Sequence, residues 1–260
     1  MILMNRKVIL ISIDGMRPDG FLQCGNPFAQ EILTLSSYAL DARTVFPSVT
    51  LPCHMSLFHS VTPERHGITT NSYMPMVRPV KSLFEQIQNM EGISAMYYGW
   101  GRMRDVAHPM SVKYAVHIDY RMAESVDTEL TDLALERIRA SKPDFVYLYL
   151  VDTDDKGGHD VGWMSDEYLR RVSIALDNVK RVWEECRDEY TIIITADHGG
   201  HDRAHGTDMP EDMTIPQFYI GPDFEPGKTL ENVSILDTAP TIAKIMNVPV
   251  PREWEGKALV

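Results

Sequence analysis

Four continuous apolar runs constrain the fold of this chain more than any other feature of its sequence. Each is rich in β-branched or aromatic residues, and they cover positions 7–14, 94–100, 144–152 and 190–197. Such runs are typical of strands that are buried on both faces of a parallel sheet. Helical periodicity appears at 80–90, 127–141 and about 165–188. Alternating strands and helices predict an α/β protein, a three-layer sandwich with a mainly parallel central sheet.

The chain has 260 residues, a length at which α/β folds commonly form one domain. It contains no internal repeat and no low-complexity linker, so a single domain over residues 1–260 is expected. The stretch from about 72 to 121 interrupts the pattern with prolines and aromatic residues. We therefore expect a small cap excursion from the core in this stretch.

Charge and cysteine content limit the partners and the compartment. Lys and Arg number 25 against 37 Asp and Glu, a formal net charge of −12, whereas nucleic-acid backbones are bound by clustered Lys and Arg. No nucleic-acid partner is therefore expected. The 3 cysteines are scattered, and an odd count favours a reducing compartment. No apolar run approaches the ~20 residues of a membrane span, and the start shows no leader pattern, so the sequence predicts a cytoplasmic protein without a membrane partner.

Acidic residues follow three of the four predicted strands. Asp14, Asp152 and Asp197 each stand at the end of an apolar run. In open α/β sheets, ligands bind outside the carboxyl ends of the strands, so these side chains are expected to converge. Several carboxylates at one place repel one another unless protons or metal ions neutralise them. Histidines accompany two of the three, which favours metal.

Two histidine-containing segments supply further candidate ligands. DKGGH spaces Asp155 and His159 four residues apart, which brings two side chains to one side of a turn, and its glycines permit an irregular backbone near an ion. ADHGGHDRAHGTD adds His198, His201 and His205 after a predicted strand. Each segment alone is also compatible with a polar surface loop. Together with the strand-end carboxylates they offer enough ligands for two ions of the Zn²⁺ class.

Thr50 stands between a loop-like run containing Pro47 and a helical segment whose first turn contains Pro52. One interpretation is an ordinary helix N-cap. The other is a nucleophile, because a base or a metal can lower the pKa of a threonine hydroxyl. A helix N-terminus also favours an alkoxide and a bound phosphate. The predicted metal ligands favour the second interpretation.

Five segments resemble, in their order along the chain, a known family: ISIDGMRPD, FPSVTLPCHMSLFHSVTPERHGITTNSY, DKGGHDVG, ADHGGH and HGTDMPEDMTIPQFYIGP. They are similar to the alkaline phosphatase superfamily, and within it to the nucleotide pyrophosphatase/phosphodiesterase (type I phosphodiesterase) branch. The closing segment, ILDTAPTIAKIMNVPVPREWEGKAL, is similar to the C-terminal part of that superfamily. The resemblance covers nearly the whole chain and includes every position that is expected to contact metal.

The resemblance implies a hydrolase of phosphodiester or pyrophosphate bonds that acts on a small-molecule phosphate ester such as a nucleotide. It implies Thr50 as the nucleophile, which forms a covalent phosphothreonine, and Asn71 as the residue that binds a phosphate oxygen. It also implies two divalent metal ions, for which Zn²⁺ is the first choice. One ion would be held by Asp14, Asp197, His198 and Thr50, and the other by Asp155, His159 and His205.

Within this set, Asp155 is preferred to Asp152 because only Asp155 has the four-residue step to His159. His201 is the reserve candidate for His205. Other residues near Thr50 are expected to pack or to hydrogen-bond rather than bind metal: His54, His59, His66 and Cys53.

Two departures from the family concern the substrate. Larger nucleotide phosphodiesterases usually carry Phe-Pro-Asn after the threonine, where this chain has Leu51, Pro52 and Cys53. They also have a long insertion before the last metal histidine, which this chain lacks. Selectivity is then expected to come from the 72–121 stretch, with the wall candidates Tyr73, Tyr97, Tyr98, Trp100, Arg102 and Arg104. The alternatives are a phosphomonoesterase or a phosphonate (C–P) hydrolase such as phosphonoacetate hydrolase and, from a different class, a catalytically idle metal-binding scaffold.

Overall fold

The computed structural model describes residues 6–260, so the first residues of the chain, where a leader pattern was sought, lie outside the described part. Within that part the strands form one sheet. They are β1 Lys7–Ile13, β2 Ser37–Arg43, β3 Ser94–Tyr98, β4 Tyr114–His117, β5 Phe145–Leu150, β6 Tyr190–Thr195 and β7 Thr214–Ile220.

The order of the strands in the sheet is β2-β7-β6-β1-β5-β3-β4. β7 is antiparallel to both of its neighbours, and every other pair is parallel. The four strands predicted from the apolar runs are β6, β1, β5 and β3, which lie side by side in the middle of the sheet. Their side chains are buried almost throughout, as expected for strands that helices cover on both faces. The predicted α/β fold with a mostly parallel sheet is confirmed.

Helices form two groups around this sheet. Their bounds are α1 Pro18–Gln23, α2 Pro27–Leu35, α3 Thr50–His59, α4 Pro63–His66, α5 Leu83–Asn89, α6 Val126–Ser141, α7 Asp166–Cys186, α8 Pro210–Met213 and α9 Thr238–Met246. Helix α7 packs against α1, α2 and α6, whereas α3, α5 and α9 pack against one another. None of the helices in residues 6–260 is long and apolar enough to cross a membrane.

Part of the stretch at 72–121, where a cap excursion was predicted, belongs to the core of the α/β fold. β3 pairs with β5 and with β4, and α5 buries Leu83, Phe84 and Ile87. The irregular parts are the loop at about 70–82 and the residues between β3 and β4, which include a short 3₁₀ helix at Gly101–Val106.

Candidate active site

The first group of candidate ligands follows two adjacent strands. β1 and β6 are parallel, with Ser12 paired to Thr195 at their carboxyl ends, so the next residues leave the sheet at the same edge. Nε2 of His198 lies 3.3 Å from Oδ1 of Asp14 and 3.4 Å from Oδ2 of Asp197. All three side chains are buried. We call Asp14, Asp197 and His198 the strand-end group.

Thr50 lies beside the strand-end group. It is the first residue of α3, whose N-cap position is occupied by Val49 without any side-chain cap hydrogen bond. Oγ1 of Thr50 lies 3.2 Å from Nε2 of His198. The hydroxyl therefore faces the candidate ligands and does not act as a helix cap.

Asn71 lies next to the N-terminus of the same helix. Its Oδ1 accepts a hydrogen bond from the backbone N–H of Leu51 at 3.0 Å, and its backbone carbonyl accepts one from the guanidinium of Arg102. Thr50 and Asn71 both line a polar cavity of about 170 Å³, which we call the catalytic cavity. Because the helix occupies Oδ1, the Nδ2 amide of Asn71 is the group that remains for a ligand.

The second group of candidate ligands is carried by loops. A π-helix, Thr153–His159, follows β5 and carries Asp154 and His159. Oδ2 of Asp154 lies 3.4 Å from Nε2 of His159, and its Oδ1 lies 4.0 Å from Nε2 of His205. His198 connects the two groups, since ligand atoms of Asp154, His198 and His205 all lie within 4.8 Å of one another. We call Asp154, His159 and His205 the loop group.

The structure brings Asp154, not Asp155, into this group, so Asp154 takes the place of Asp155 in the ligand set that we propose below. The four-residue step assumed an ordinary turn, but backbone hydrogen bonds in a π-helix span five residues. The N–H of Asp160 bonds the carbonyl of Asp155 in this way at 3.0 Å. Residues five apart, Asp154 and His159, consequently face the same side. Asp155 lines the wall of the catalytic cavity.

The three histidines of the two groups are oriented alike. Each ring has its Nδ1 beside a backbone carbonyl: His198 beside Gly199 at 2.7 Å, His159 beside Arg203 at 3.0 Å and His205 beside Ser48 at 2.8 Å. Such a carbonyl accepts a hydrogen bond from Nδ1–H and so fixes the tautomer, which leaves Nε2 as an electron-pair donor toward the site. This is the arrangement in which imidazoles commonly bind metal.

Electrostatics also point to a cation. In the two ligand groups, three buried carboxylate oxygens have no hydrogen-bond partner within residues 6–260: Oδ1 of Asp14, Oδ1 of Asp154 and Oδ2 of Asp197. Burial, and then the other carboxylates, raise the pKa of Asp14 well above its usual value, and burial raises the pKa of Asp154 to about 6. Burial lowers the pKa of His198 and His205. Unpaired oxygens beside neutral imidazole nitrogens form a donor set that fits divalent ions of the Zn²⁺ class.

A polar network behind the π-helix holds its first turn. Asp127, in the first turn of α6, accepts hydrogen bonds from the backbone N–H groups of Val151 at 2.7 Å and Asp152 at 3.2 Å. Nζ of Lys156 lies 2.8 Å from Oδ1 of Asp152, so Asp152 faces away from the candidate ligands. These contacts position the start of the π-helix, and with it Asp154, relative to β5. Acidic residues are common in the first turn of helices, so the sequence around Asp127 gives no sign of this role.

The position of Trp163 explains why two positions of the histidine-containing segments are glycines. Its Nε1 donates a hydrogen bond to the carbonyl of Gly15 at 2.9 Å. A Cβ atom at Gly158 would lie 2.6 Å from the indole ring, and one at Gly200 would lie 2.2 Å from it. The glycines therefore admit this indole, which packs together three segments that carry candidate ligands.

The other histidines near the site have structural partners, as expected. Nδ1 of His54 bonds the carbonyl of Thr50 at 2.8 Å, Nδ1 of His59 bonds that of Met55 at 2.9 Å, and Nε2 of His66 bonds Oγ of Ser56 at 3.1 Å. The reserve candidate, His201, pairs with Asp212 at 2.7 Å and lies outside both ligand groups. Burial raises the pKa of the Cys53 thiol far above its usual value, so Cys53 is a poor candidate for a nucleophile.

Aromatic side chains complete the catalytic cavity. Trp100, a predicted wall residue, lines it together with Tyr120 and Tyr149, which the sequence did not single out. The other predicted wall residues lie elsewhere. Tyr97 and Tyr98 are buried residues of β3, Arg102 contacts the backbone of Asn71, and Tyr73 and Arg104 line a separate cavity.

Curated proteins with similar sequences include a nucleotide pyrophosphatase/phosphodiesterase and a phosphoglycerate mutase. Mouse ectonucleotide pyrophosphatase/phosphodiesterase family member 1 is 24% identical over 220 residues, which are 74% of this chain and 24% of that protein. A 2,3-bisphosphoglycerate-independent phosphoglycerate mutase of Cellvibrio japonicus is 29% identical over 136 residues, 51% of this chain and 26% of the mutase. The chain thus spans about a quarter of the length of these relatives.

Solved structures share the fold. Murine ectonucleotide pyrophosphatase/phosphodiesterase 5, in an inactive form complexed with AMP, has a TM-score of 0.81 at 16% identity, with 96% of this chain and 98% of that chain covered. A phosphonate monoester hydrolase from Silicibacter pomeroyi has a TM-score of 0.76 at 15% identity, covering 98% and 76%. The family model for type I phosphodiesterase/nucleotide pyrophosphatase matches residues 8–209. This chain therefore belongs to the type I phosphodiesterase/nucleotide pyrophosphatase family.

Proposed function

We propose that this protein hydrolyses phosphodiester or pyrophosphate bonds of small molecules, with Thr50 as the nucleophile. In this proposal the strand-end group and the loop group each hold one Zn²⁺ ion. The observation that carries it is the convergence of Thr50 with the unpaired carboxylate oxygens of Asp14 and Asp154 at one small polar cavity. His198, which lies 3.2 Å from the Thr50 hydroxyl, joins the two ligand groups beside it. Family membership supports a hydrolase of this kind. The inactive form of the murine structural neighbour carries a threonine-to-alanine change, which supports a catalytic threonine.

When bound, the two ions would stabilise negative charge on the reacting oxygens as Lewis acids. Oγ1 of Thr50 attacks the phosphorus atom, the bond from phosphorus to the leaving oxygen breaks, and the threonine proton ends on the leaving group or in solvent. Water then cleaves the phosphothreonine and restores the hydroxyl. The Nδ2 amide of Asn71 donates to a non-bridging phosphate oxygen, and the N-terminus of α3 adds partial positive charge beside it.

Nucleotides are the first candidate substrates, because the murine structural neighbour binds AMP. Phosphonate monoesters are the second, because the enzyme from Silicibacter pomeroyi shares the fold. The three cysteines of the chain are unpaired, which supports the proposed reducing, cytoplasmic compartment.

The substrate class is tested with bis-p-nitrophenyl phosphate, p-nitrophenyl phosphate and p-nitrophenyl phenylphosphonate. Each is assayed with zinc added and again after chelation. We expect zinc-dependent turnover, fastest on the diester. Faster turnover of the monoester or the phosphonate would reassign the substrate class, and no turnover of any of them would favour the idle metal-binding scaffold.

The nucleophile is tested with Thr50→Ala. We expect turnover to fall by at least about 10³-fold, while the zinc content and the melting temperature stay close to those of the wild type. Thr50→Ser keeps a hydroxyl and is the matched control, which should retain measurable turnover. Undiminished hydrolysis by Thr50→Ala would disprove the assignment.

A further inference from the structure

A second cavity lies along helix α3, away from the catalytic cavity. Its volume is about 620 Å³, which is within the range of small-molecule binding sites. Apolar side chains form most of its wall, among them Met55, Met76, Val80, Val106 and Ala107. Since an α-helix rises ~1.5 Å per residue, Met55 and His59 lie roughly 7 to 14 Å along α3 from Thr50. A molecule in this cavity would therefore not take part in the reaction at Thr50.

One nearly buried histidine lines this second cavity. His59 lines the cavity and is only 6% exposed. Its Nδ1–H donates a hydrogen bond to the carbonyl of Met55 at 2.9 Å. Nε2, on the far side of the ring, is therefore an acceptor. No residue in the range 6–260 forms a hydrogen bond with Nε2. Burial lowers the pKa of His59 to about 4, which keeps the ring neutral at physiological pH.

A wall separates the second cavity from the catalytic one. Asn71 and Trp100 line the catalytic cavity, whereas Tyr73 and Arg104, a few residues further along the same two loops, line the second. The Arg102 guanidinium donates to the carbonyl of Asn71 and joins the loops. The two cavities therefore share a wall but have different linings.

Charged groups at the second cavity balance one another. Lys81 and Arg104 are matched by Glu85 and Asp105. Arg104 lies 3.5 Å from Asp105, and Glu85 accepts a hydrogen bond from the backbone N–H of Ser82 at 2.9 Å. No net charge remains to attract an ion, so the lining favours a neutral molecule.

We propose that this cavity binds a neutral, largely apolar small molecule, aromatic or branched aliphatic, whose single hydroxyl or N–H group donates to Nε2 of His59. The apolar wall provides the area for the body of the molecule. The buried imidazole provides the polar contact that orients it.

The test uses two probes of the same shape, 2-naphthol and 2-methoxynaphthalene, titrated into the zinc-loaded full chain by calorimetry. 2-Naphthol can donate a hydrogen bond and the ether cannot. We expect one 2-naphthol per chain and about five- to tenfold weaker binding of the ether. His59→Phe should bring the two affinities to within twofold of each other. Equal affinities in the wild type, or an unchanged preference in His59→Phe, would overturn the proposal.

The location is tested by filling the cavity. Ala107→Trp should weaken 2-naphthol binding at least tenfold, whereas Leu22→Trp, which adds the same ring at an exposed position of α1, should leave it unchanged. Melting temperatures check that both variants fold. Excess inorganic phosphate should not displace 2-naphthol. Displacement by phosphate, or full binding by folded Ala107→Trp, would place the probe elsewhere and refute the site.

Discussion

The strand-end group and the loop group differ in the structural elements that hold their side chains in place. Asp14, Asp197 and His198 follow adjacent, paired strands and are at most 2% exposed. The loop group depends on a π-helix and on a loop, and the side chain of His159 is 41% exposed. The sheet therefore determines the geometry of one group, while contacts remote from the sheet determine that of the other. We expect the two proposed zinc ions to differ in how easily substitutions away from the ligands weaken their binding.

The largest effect is expected within the strand-end group. Asp197→Asn removes a carboxylate whose Oδ2 has no hydrogen-bond partner within residues 6–260, and an amide is a poor ligand for zinc. Loss of a residue that only hydrogen-bonds to a metal ligand already lowers metal affinity or activity about 10- to 100-fold. Loss of the ligand itself should therefore lower turnover by more than about 100-fold. Turnover and bound zinc per chain are the measurements. Asp160→Asn, the same change at an exposed position, is the control, and wild-type zinc content in Asp197→Asn would contradict the assignment.

A smaller and selective effect is expected from the network behind the π-helix. In Asp127→Asn an NH₂ group replaces Oδ2, so the N–H of Asp152 loses its 3.2 Å bond and keeps only the 3.4 Å contact with Oδ1. The π-helix should then hold Asp154 less firmly, and the affinity for one zinc ion should fall about tenfold. The affinity for the other ion should be unchanged, as measured by competition with a chelating dye.

The comparison for this variant is Asp132→Asn, which makes the same change on an exposed side chain of α6. Its zinc affinities should match those of the wild type. If Asp127→Asn weakened both ions equally, or neither, the network would not be specific to the loop group.

The same contrast, between the central sheet and the parts remote from it, separates what could be predicted from sequence from what could not. The central strands have continuous apolar runs because helices cover both of their faces, so β1, β3, β5 and β6 were evident, as were the carboxylates that follow three of them. β2 lies at the edge of the sheet and exposes Asp41 and Arg43, and β4 has only 4 residues. Such strands have no distinctive hydrophobic pattern, and they were missed.

The loop group could be predicted only in part. The segment TDDKGGH contains two adjacent aspartates, and the backbone decides which one faces His159. That backbone is a π-helix, which adds one residue to the turn and is held by Asp127 and Lys156 from outside the segment. Local spacing holds no information on these contacts, so it indicated Asp155 where the structure has Asp154.

The smallest effect is expected from His66, a buried histidine outside both ligand groups, and it concerns the stability of the folded chain. Burial lowers the pKa of His66 from 6.5 to about 4, and its Nδ1 accepts a hydrogen bond from the N–H of Ile68 at 3.1 Å. The His66 imidazole therefore binds a proton more readily in the unfolded chain than in the folded one. The contribution of neutral His66 to the free energy of unfolding is complete above pH 6.5 and is lost as the pH falls toward 4. Between pH 7.5 and 5.5 it should decrease by about 1.3 kcal/mol.

Urea unfolding of the wild type and of His66→Gln at these two pH values measures this difference. The variant should be less stable at pH 7.5 and should lose about 1.3 kcal/mol less on acidification. Identical pH dependence in the two proteins would show that His66 is not the buried neutral group described here.

The zinc content of the folded chain tests the central claim most directly. After dialysis against a weak chelator, we expect two zinc ions per chain in the wild type, one in Asp154→Asn and two in Asp155→Asn, because only Asp154 faces the other ligands of the loop group. A wild type without zinc, or an Asp155→Asn variant that loses an ion while Asp154→Asn keeps both, would contradict the account.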